Sequence, residues 1–369
     1  MKKLLFGAYS LDIGGIEKAL VMLVNKLQEK GYDITLVLEK KQGIFLNKID
    51  PKIKIIEYAP SNSKNKIQRK IINLIKRIKF TLKYKNKYDF SASFATYSLP
   101  SSFVARTASK NCYLWGHADY LTLFDGNAEE MKEFFIERNY DKFKKIIFVS
   151  KEGKDSFIKV FPKMNEKTMV CNNLIDADKI LELSKEKIPE EDLSKINKLE
   201  NTQKETTIFI NVGRHQEKQK KLSRLIEAAT MLKKDNMNFK IIFIGDGPET
   251  EEYKKQVKNN QLENNIIFLG KKQNPYPYFK IADCVVLTSD YEGYPVVFLE
   301  SFILEKPIIT TKVSDYKEVE NKYGFVTEKD TKDIYEKMKN FILNGFEIKE
   351  KFDYKKYNEE ILKKIEDLF

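Results

Sequence analysis

Cysteine and histidine are scarce, with three Cys and two His in 369 residues, and each scarcity excludes some chemistry. Cys112, Cys171 and Cys284 are odd in number and widely spaced. They form neither a disulfide framework nor a zinc pattern, so a reducing cytosol is the expected setting. No apolar run is long enough to span a bilayer. The opening Met1-Lys2-Lys3-Leu4-Leu5-Phe6 imitates a signal peptide, but its apolar run stops at Asp12-Ile13-Gly14-Gly15. The expectation is a cytoplasmic protein, at most peripheral on the inner face of the plasma membrane. Acids are also in deficit. Lys and Arg number 66 against 54 Asp and Glu, a net charge of +12, which favours anionic partners: phosphate-rich ligands, anionic lipid or nucleic acid.

What the chain does have is alternation. Leu4 to Tyr9 reads as a buried strand, Gly14-Gly15 as a loop, Ile16 to Lys30 as an amphipathic helix, and Ile34 to Leu38 as the next strand. That is the opening of a doubly wound α/β domain. The Gly14-Gly15 pair can bring backbone N–H groups against a ligand, or can be an ordinary tight turn. His117, in Trp115-Gly116-His117-Ala118-Asp119, follows a strand-like run where such folds place ligands. A hydrogen-bonded structural histidine is the alternative. Alternation restarts at Thr206 to Val212, followed by Gly213-Arg214 and a helix from Leu222, so a second doubly wound domain is expected. Between the two, a Lys/Glu-rich stretch reads as a solvated linker.

The segment Asp290-Tyr291-Glu292-Gly293-Tyr294-Pro295-Val296-Val297, ending in Glu300, follows the buried run Cys284 to Thr288. Gly293 permits close backbone approach, and Pro295 suits a first helical turn. The free N–H groups of that turn favour an anion. Glu292 and Glu300 bracket this point and can accept hydrogen bonds from hydroxyls, which suits an anionic centre between polyols, as in a nucleotide sugar. The other reading is a plain strand–loop–helix in which Glu292 caps the helix and Glu300 is solvated. Arg214 and Lys220 can clamp a diphosphate, as a fork and a point charge, or can belong to a solvated basic loop. Lys218 and Lys221 compete for the Lys role.

Glu292-Gly293-Tyr294-Pro295 followed by Glu300 resembles the EX7E motif of the retaining glycosyltransferases of family 4. Strand–Gly14-Gly15–helix, Trp115-x-His117 and Gly213-Arg214…Lys220 resemble other motifs of that group. The family usually has Gly-Gly where Ser314-Asp315 stand. The resemblance implies a GT-B fold, two Rossmann-like domains facing across a cleft. Residues 1–175 would be the acceptor side, 176–205 a charged linker, 206–345 the sugar-nucleotide domain, and 346–369 a helix crossing back to the first domain. It also implies transfer of a hexose from a UDP-sugar to a saccharide or lipid-linked saccharide, with retention, in polysaccharide or capsule biosynthesis. His117, Arg214, Lys220 and Glu292 would serve catalysis. Gly14, Gly15, Gly270, Lys271, Glu292 to Val297 and Glu300 would hold the donor with Arg214 and Lys220, Glu300 meeting the ribose.

No cofactor, essential metal or nucleic acid is expected, and Asp176-Ala177-Asp178 is discounted as a metal signature because of its linker context. A sugar-nucleotide 2-epimerase of the same architecture and a non-catalytic membrane-bound partner are the alternatives. Lys64 to Lys87 carries ten basic residues and no acid, with Ile and Leu at helical spacing. It is either an anionic-membrane contact or a helix with a solvated basic face.

Overall fold

The computed structural model describes residues 1–12, 14–197 and 206–369. They divide into two units, Met1–Ile175 with Lys355–Phe369, and Asp176–Tyr354.

The first unit is built on seven strands: β1 (Lys3–Ala8), β2 (Asp33–Leu38), β3 (Lys54–Glu57), β4 (Phe90–Ser93), β5 (Cys112–Gly116), β6 (Lys145–Phe148) and β7 (Thr168–Val170). All pairings are parallel, in the order β3-β2-β1-β4-β5-β6-β7. Runs such as Leu4-Leu5-Phe6 and Ile146-Ile147-Phe148 are wholly buried because helices cover both faces of a parallel sheet. Two of those helices are α1 (Gly15–Glu29) and α2 (Lys66–Tyr84).

The second unit repeats the plan with β8 (Thr207–Val212), β9 (Phe239–Ile244), β10 (Ile266–Phe268), β11 (Cys284–Leu287), β12 (Ile308–Thr311) and β13 (Gly324–Thr327). Their order is β10-β9-β8-β11-β12-β13, again parallel. Its core packs Phe209, Ile241, Phe243 and Val286 against Leu225, Ile226 and Ala229 of one helix and Ile334, Met338 and Phe341 of another. In each sheet the strand order reverses once, between β1 and β4 and between β8 and β11. Connections leave such a point in opposite directions and open a crevice beyond the strand ends.

Two boundaries differ from expectation. The stretch read as a solvated linker contributes helices Ala177–Leu183 and Glu190–Asn197 to the second unit. Its few apolar residues are the reason: Ile180 and Ile196 are buried, and Lys272 pairs with buried Asp192 at 2.6 Å. The remainder, 198–205, lies outside the described residues. Helix Tyr354–Glu366 belongs to the first unit, but residues 346–354 stay with the second. Ile361 and Ile365 are buried, and the Leu368 carbonyl accepts from Asn111 Nδ2 at 2.7 Å and Tyr113 Oη at 3.1 Å. Phe369 lies edge-on to Phe90, ring centroids 4.8 Å apart.

Candidate active site

The crevice between β8 and β11 gathers the charged residues. After β8 come Gly213 to Gln216, a single helical turn Glu217–Lys220, and Lys221 in the left-handed region at φ 49. That kink turns the chain into helix Leu222–Lys234. The Thr288 hydroxyl, just beyond β11, reaches the carbonyls of Lys220 and Lys221 at 3.0 and 3.1 Å. Asp290 N donates to the Gln219 carbonyl at 2.8 Å. The two loops are therefore tied by backbone, and Lys220 enters the crevice from a fixed point.

There Lys220 Nζ donates to Glu292 Oε1 at 2.6 Å. The pair is largely withdrawn from water, the side chains 17% and 9% exposed. Ser289 Oγ donates to the same oxygen at 2.7 Å and Gln219 Nε2 to Oε2 at 3.3 Å. Glu292 thus neither caps the following helix nor stands solvated; it is the fixed counter-charge of Lys220. An ammonium has three donors, so this bond leaves Lys220 with capacity for a second anion. Lys221 faces Glu217 and Asp290 at 3.7 and 3.9 Å, and Arg224 binds Asp290 at 2.6 Å. Of the three competing lysines, Lys220 is the one directed at Glu292. Arg214 is exposed on the loop after β8.

Pro295 takes the cap position of helix Val296–Ile303, one residue ahead of the expected first turn, and no side chain caps that helix. The first-turn N–H groups of Val296 and Val297 have no intrahelical acceptor. Glu300, one turn on, accepts from Tyr276 Oη at 3.0 Å. Burial first, then the Glu300 charge, holds the Tyr276 hydroxyl protonated well above the usual tyrosine range. Tyr294 Oη donates to Glu318 at 3.0 Å. At the position of the Gly-Gly departure, Asp315 takes the left-handed conformation, φ 55, that glycine adopts without strain. Ser314 Oγ donates to the Glu292 carbonyl at 2.6 Å.

Gly270 and Lys271 lie along the same edge of the sheet. The Gly270 carbonyl accepts from Gly245 N at 3.0 Å, and Lys271 stands exposed, 3.9 Å from Asp246. Between them and the crevice lies His215, fully buried among Phe243, Tyr253 and Phe268. Its Nδ1 is 2.8 Å from Thr250 Oγ1. Asp176 and Asp178 have structural partners: Asp176 Oδ1 accepts from Lys179 N at the start of helix Ala177–Leu183, and Asp178 accepts from Tyr354 Oη at 3.1 Å.

The remaining expected residues occupy the first unit. Gly14 precedes α1, and a Cβ there would meet Glu17 Oε2 at 2.0 Å, so glycine lets that carboxylate fold over the backbone. Glu17 Oε1 accepts from Tyr97 Oη at 3.1 Å. None of the described residues crowds Gly15. His117 follows β5 as expected, but its Nε2 is sealed and has no partner among the described residues, the ring 4.6 Å from Phe94. Burial pushes the imidazole down to about 4, against a small opposing effect of the Phe94 carbonyl. His117 is therefore neutral near pH 7.

A depressed histidine binds fewer protons folded than unfolded between about 4 and 6.5. Its contribution to stability is complete above 6.5 and is lost as pH falls toward 4. The unfolding temperature of the first unit should fall over that window in calorimetry, with a shallower fall for His117→Phe. Equal slopes would remove His117 as the cause.

The site includes residues that no sequence pattern singled out: Ser289, Gln219, Tyr276 and His215. Gln219 and Ser289 adjoin the motifs and could have been flanked in. Tyr276 carries no local signal, and Ser314 is marked only as a departure from Gly-Gly.

A family model described as Glycosyl transferases group 1 matches residues 192–359. An uncharacterised glycosyltransferase of Methanocaldococcus jannaschii is 26% identical over 243 residues, 66% of this chain and 58% of that protein's length. The N-acetylgalactosamine-N,N'-diacetylbacillosaminyl-diphospho-undecaprenol 4-alpha-N-acetylgalactosaminyltransferase of Campylobacter jejuni is 23% identical over 325 residues, 84% of this chain and 81% of its own. Among solved structures, HepE of Anabaena in complex with UDP and glucose superposes with a TM-score of 0.76 at 19% identity, covering 99% of this chain and 100% of HepE. The likeness shows the fold, that of the GT-B glycosyltransferases.

Proposed function

We propose, from the match of residues 192–359 to the model of the group 1 glycosyl transferases, that this chain transfers a hexose from a UDP-sugar to a saccharide or lipid-linked saccharide with retention. The observation that carries the reading is the Lys220–Glu292 pair, set between β8 and β11 beside the uncapped start of helix Val296–Ile303. HepE binds UDP and glucose, and the Campylobacter relative acts on a diphospho-undecaprenol-linked saccharide, which supports the donor and acceptor classes. Cell-surface polysaccharide synthesis is the setting this suggests.

Breaking the bond between anomeric carbon and phosphate develops negative charge on the leaving diphosphate and positive charge on the sugar. Preorganised cations and dipoles stabilise the former without a metal. Lys220, Arg214 and the N–H groups of Val296 and Val297 serve that end, and the acceptor attacks from the leaving-group face. Glu292 holds Lys220 in place and offers the unused capacity of Oε2 to a sugar hydroxyl. Glu300, steadied by Tyr276, accepts from the ribose, and the backbone of Gly270 and Lys271 meets the base. The neutral His117 and the Gly14-Gly15 loop serve the sugar and acceptor. The basic segment 64–87 brings a membrane surface to the enzyme.

A panel of sugar nucleotides, assayed with and without acceptors, tests the reading. A UDP-sugar should raise the unfolding temperature and be consumed with formation of a glycoside on a second molecule. Interconversion of sugar nucleotides without acceptor would indicate the epimerase, and binding or turnover of none would indicate a non-catalytic partner. Activity should persist in EDTA; loss restored by manganese would return Asp176 and Asp178 to consideration. Glu300→Gln should weaken UDP binding about tenfold in calorimetry, the worth of a hydrogen bond to a charged group. Unchanged affinity would remove Glu300 from the ribose.

A further inference from the structure

Helix α2 (Lys66–Tyr84) is built inside out. An amphipathic helix in a soluble fold turns its apolar stripe to the core. Here Ile67, Ile71, Leu74, Ile75, Ile78 and Leu82 fall on one stripe, and each is exposed, Ile75 at 46% and Leu82 at 78% being the extremes. The helix attaches to its unit by the opposite face. Phe80 is its one buried residue, packed with Leu5, Val37, Val104 and Ala108. On the same face Lys76 Nζ donates to the Ala59 carbonyl at 2.8 Å, and Asn73 Oδ1 accepts from Ser61 N at 2.7 Å. Asn65 caps the start through Ile67 N and Gln68 N.

The charges follow the same geometry. At about 100° per residue, Lys66, Lys70 and Arg77 run along one flank of the apolar stripe and Lys79 and Lys83 along the other. No acid occurs between Lys64 and Lys87, and none of these basic side chains forms an ion pair among the described residues. Arg77 lies over the Phe103 ring at 4.8 Å, which holds its charge on the flank.

We infer that α2 lies in the plane of an anionic bilayer surface, with its isoleucine and leucine stripe among the acyl chains and its two lysine and arginine rows on the headgroups. From Ile67 to Leu82 the stripe is about 22 Å long, the length of an in-plane anchor. Flanking charge complements anionic lipid on both sides at once. A polyanion such as RNA would use the rows and leave the stripe in water. This deepens the membrane reading given above, yet it is read out without turnover, so it stands or falls apart from sugar transfer.

The experiment is vesicle sedimentation with phosphatidylglycerol-containing and pure phosphatidylcholine vesicles, at about 0.1 M and about 1 M salt, where the Debye length is about 10 and about 3 Å. Wild type should pellet with the anionic vesicles at low salt, with at least tenfold weaker partitioning onto the neutral ones and at high salt. Two variants separate the contributions: I71S/L74S/I78S and K70E/R77E/K79E. All six positions are exposed or on the flanks, so unfolding temperatures should match wild type. Each variant should lose at least tenfold in partitioning. A serine variant that pellets like wild type would reduce α2 to a general polyanion contact, and wild type that pellets with neither vesicle would overturn the inference. So would a lipid-free dimer in sedimentation velocity that the serine substitutions disperse, since the stripe would then cover a second copy of the chain.

Discussion

Lys220→Ala should lower kcat by about tenfold to a hundredfold, the equivalent of about 1.5–3 kcal/mol for one charged contact to the leaving diphosphate. The same substitution should also destabilise the second unit. Glu292 is 7% exposed, and stripping its partner leaves a buried carboxylate uncompensated, at a cost of about 3–5 kcal/mol. Loss of activity in the single variant therefore has two sources. The double variant Lys220→Met/Glu292→Gln separates them, because neutral groups of similar size replace the pair and the buried charge is gone. Its unfolding temperature should return toward wild type while kcat stays low. Recovery of kcat with stability would make Lys220 structural and move the leaving-group charge to Arg214.

Gly245→Ala should be as damaging without touching a charged residue. Gly245 has φ +146, and a Cβ would stand 1.8 Å from the Gly213 carbonyl oxygen and 2.9 Å from its carbon. No flexible side chain is available to yield; the backbone that leads into Arg214, His215 and Lys220 must move. Strain at such a φ costs about 1–3 kcal/mol, and overpacking adds about 1–3 kcal/mol more. At roughly 2–4 °C per kcal/mol for a unit of this size, the second unit should unfold roughly 4–24 °C lower, and UDP binding should weaken in step. Gly15→Ala, where nothing among the described residues lies within 4 Å, is the control and should leave the unfolding temperature within about 2 °C. A Gly245→Ala variant as stable as that control would mean that the clash is relieved by the backbone.

How much of this was legible depended on distance along the chain. Ile146 to Val149 and Cys284 to Thr288 announce buried parallel strands by composition alone, and Gly293 to Val297 announces the turn from strand to helix. The Lys220–Glu292 pair joins residues 72 apart, and only the adjacency of β8 and β11 brings them together. Spacing could therefore suggest a phosphate for Lys220 but not the carboxylate that holds it. His215 sits in a run of charged residues and reads as solvated; Phe243, Tyr253 and Phe268, distant in sequence, bury it. Segment 176–197 reads as solvated because Ile180 and Ile196 are few among lysines and glutamates, yet both are buried, helix Ala177–Leu183 lying against helices Tyr276–Ile281 and Val296–Ile303. The period of α2 identifies a stripe without saying which way it points. The direction comes from Phe80, one aromatic on the basic side.

The return of residues 355–369 to the first unit reverses the order in which the two units can mature. The second unit, Asp176–Tyr354, is a continuous stretch and has every strand of its sheet once β13 has been synthesised. The first unit has its seven strands much earlier, but Phe90 waits for Phe369, Asn111 and Tyr113 wait for the Leu368 carbonyl, and Ile361 and Ile365 are still to come. Domains ordinarily fold as units from the N-terminus during synthesis. In this chain the unit that leaves the ribosome first is closed last, with the ends of β4 and β5 and an aromatic cluster open while its neighbour is made. A chain truncated after residue 354 would carry a finished second unit and a protease-sensitive first one.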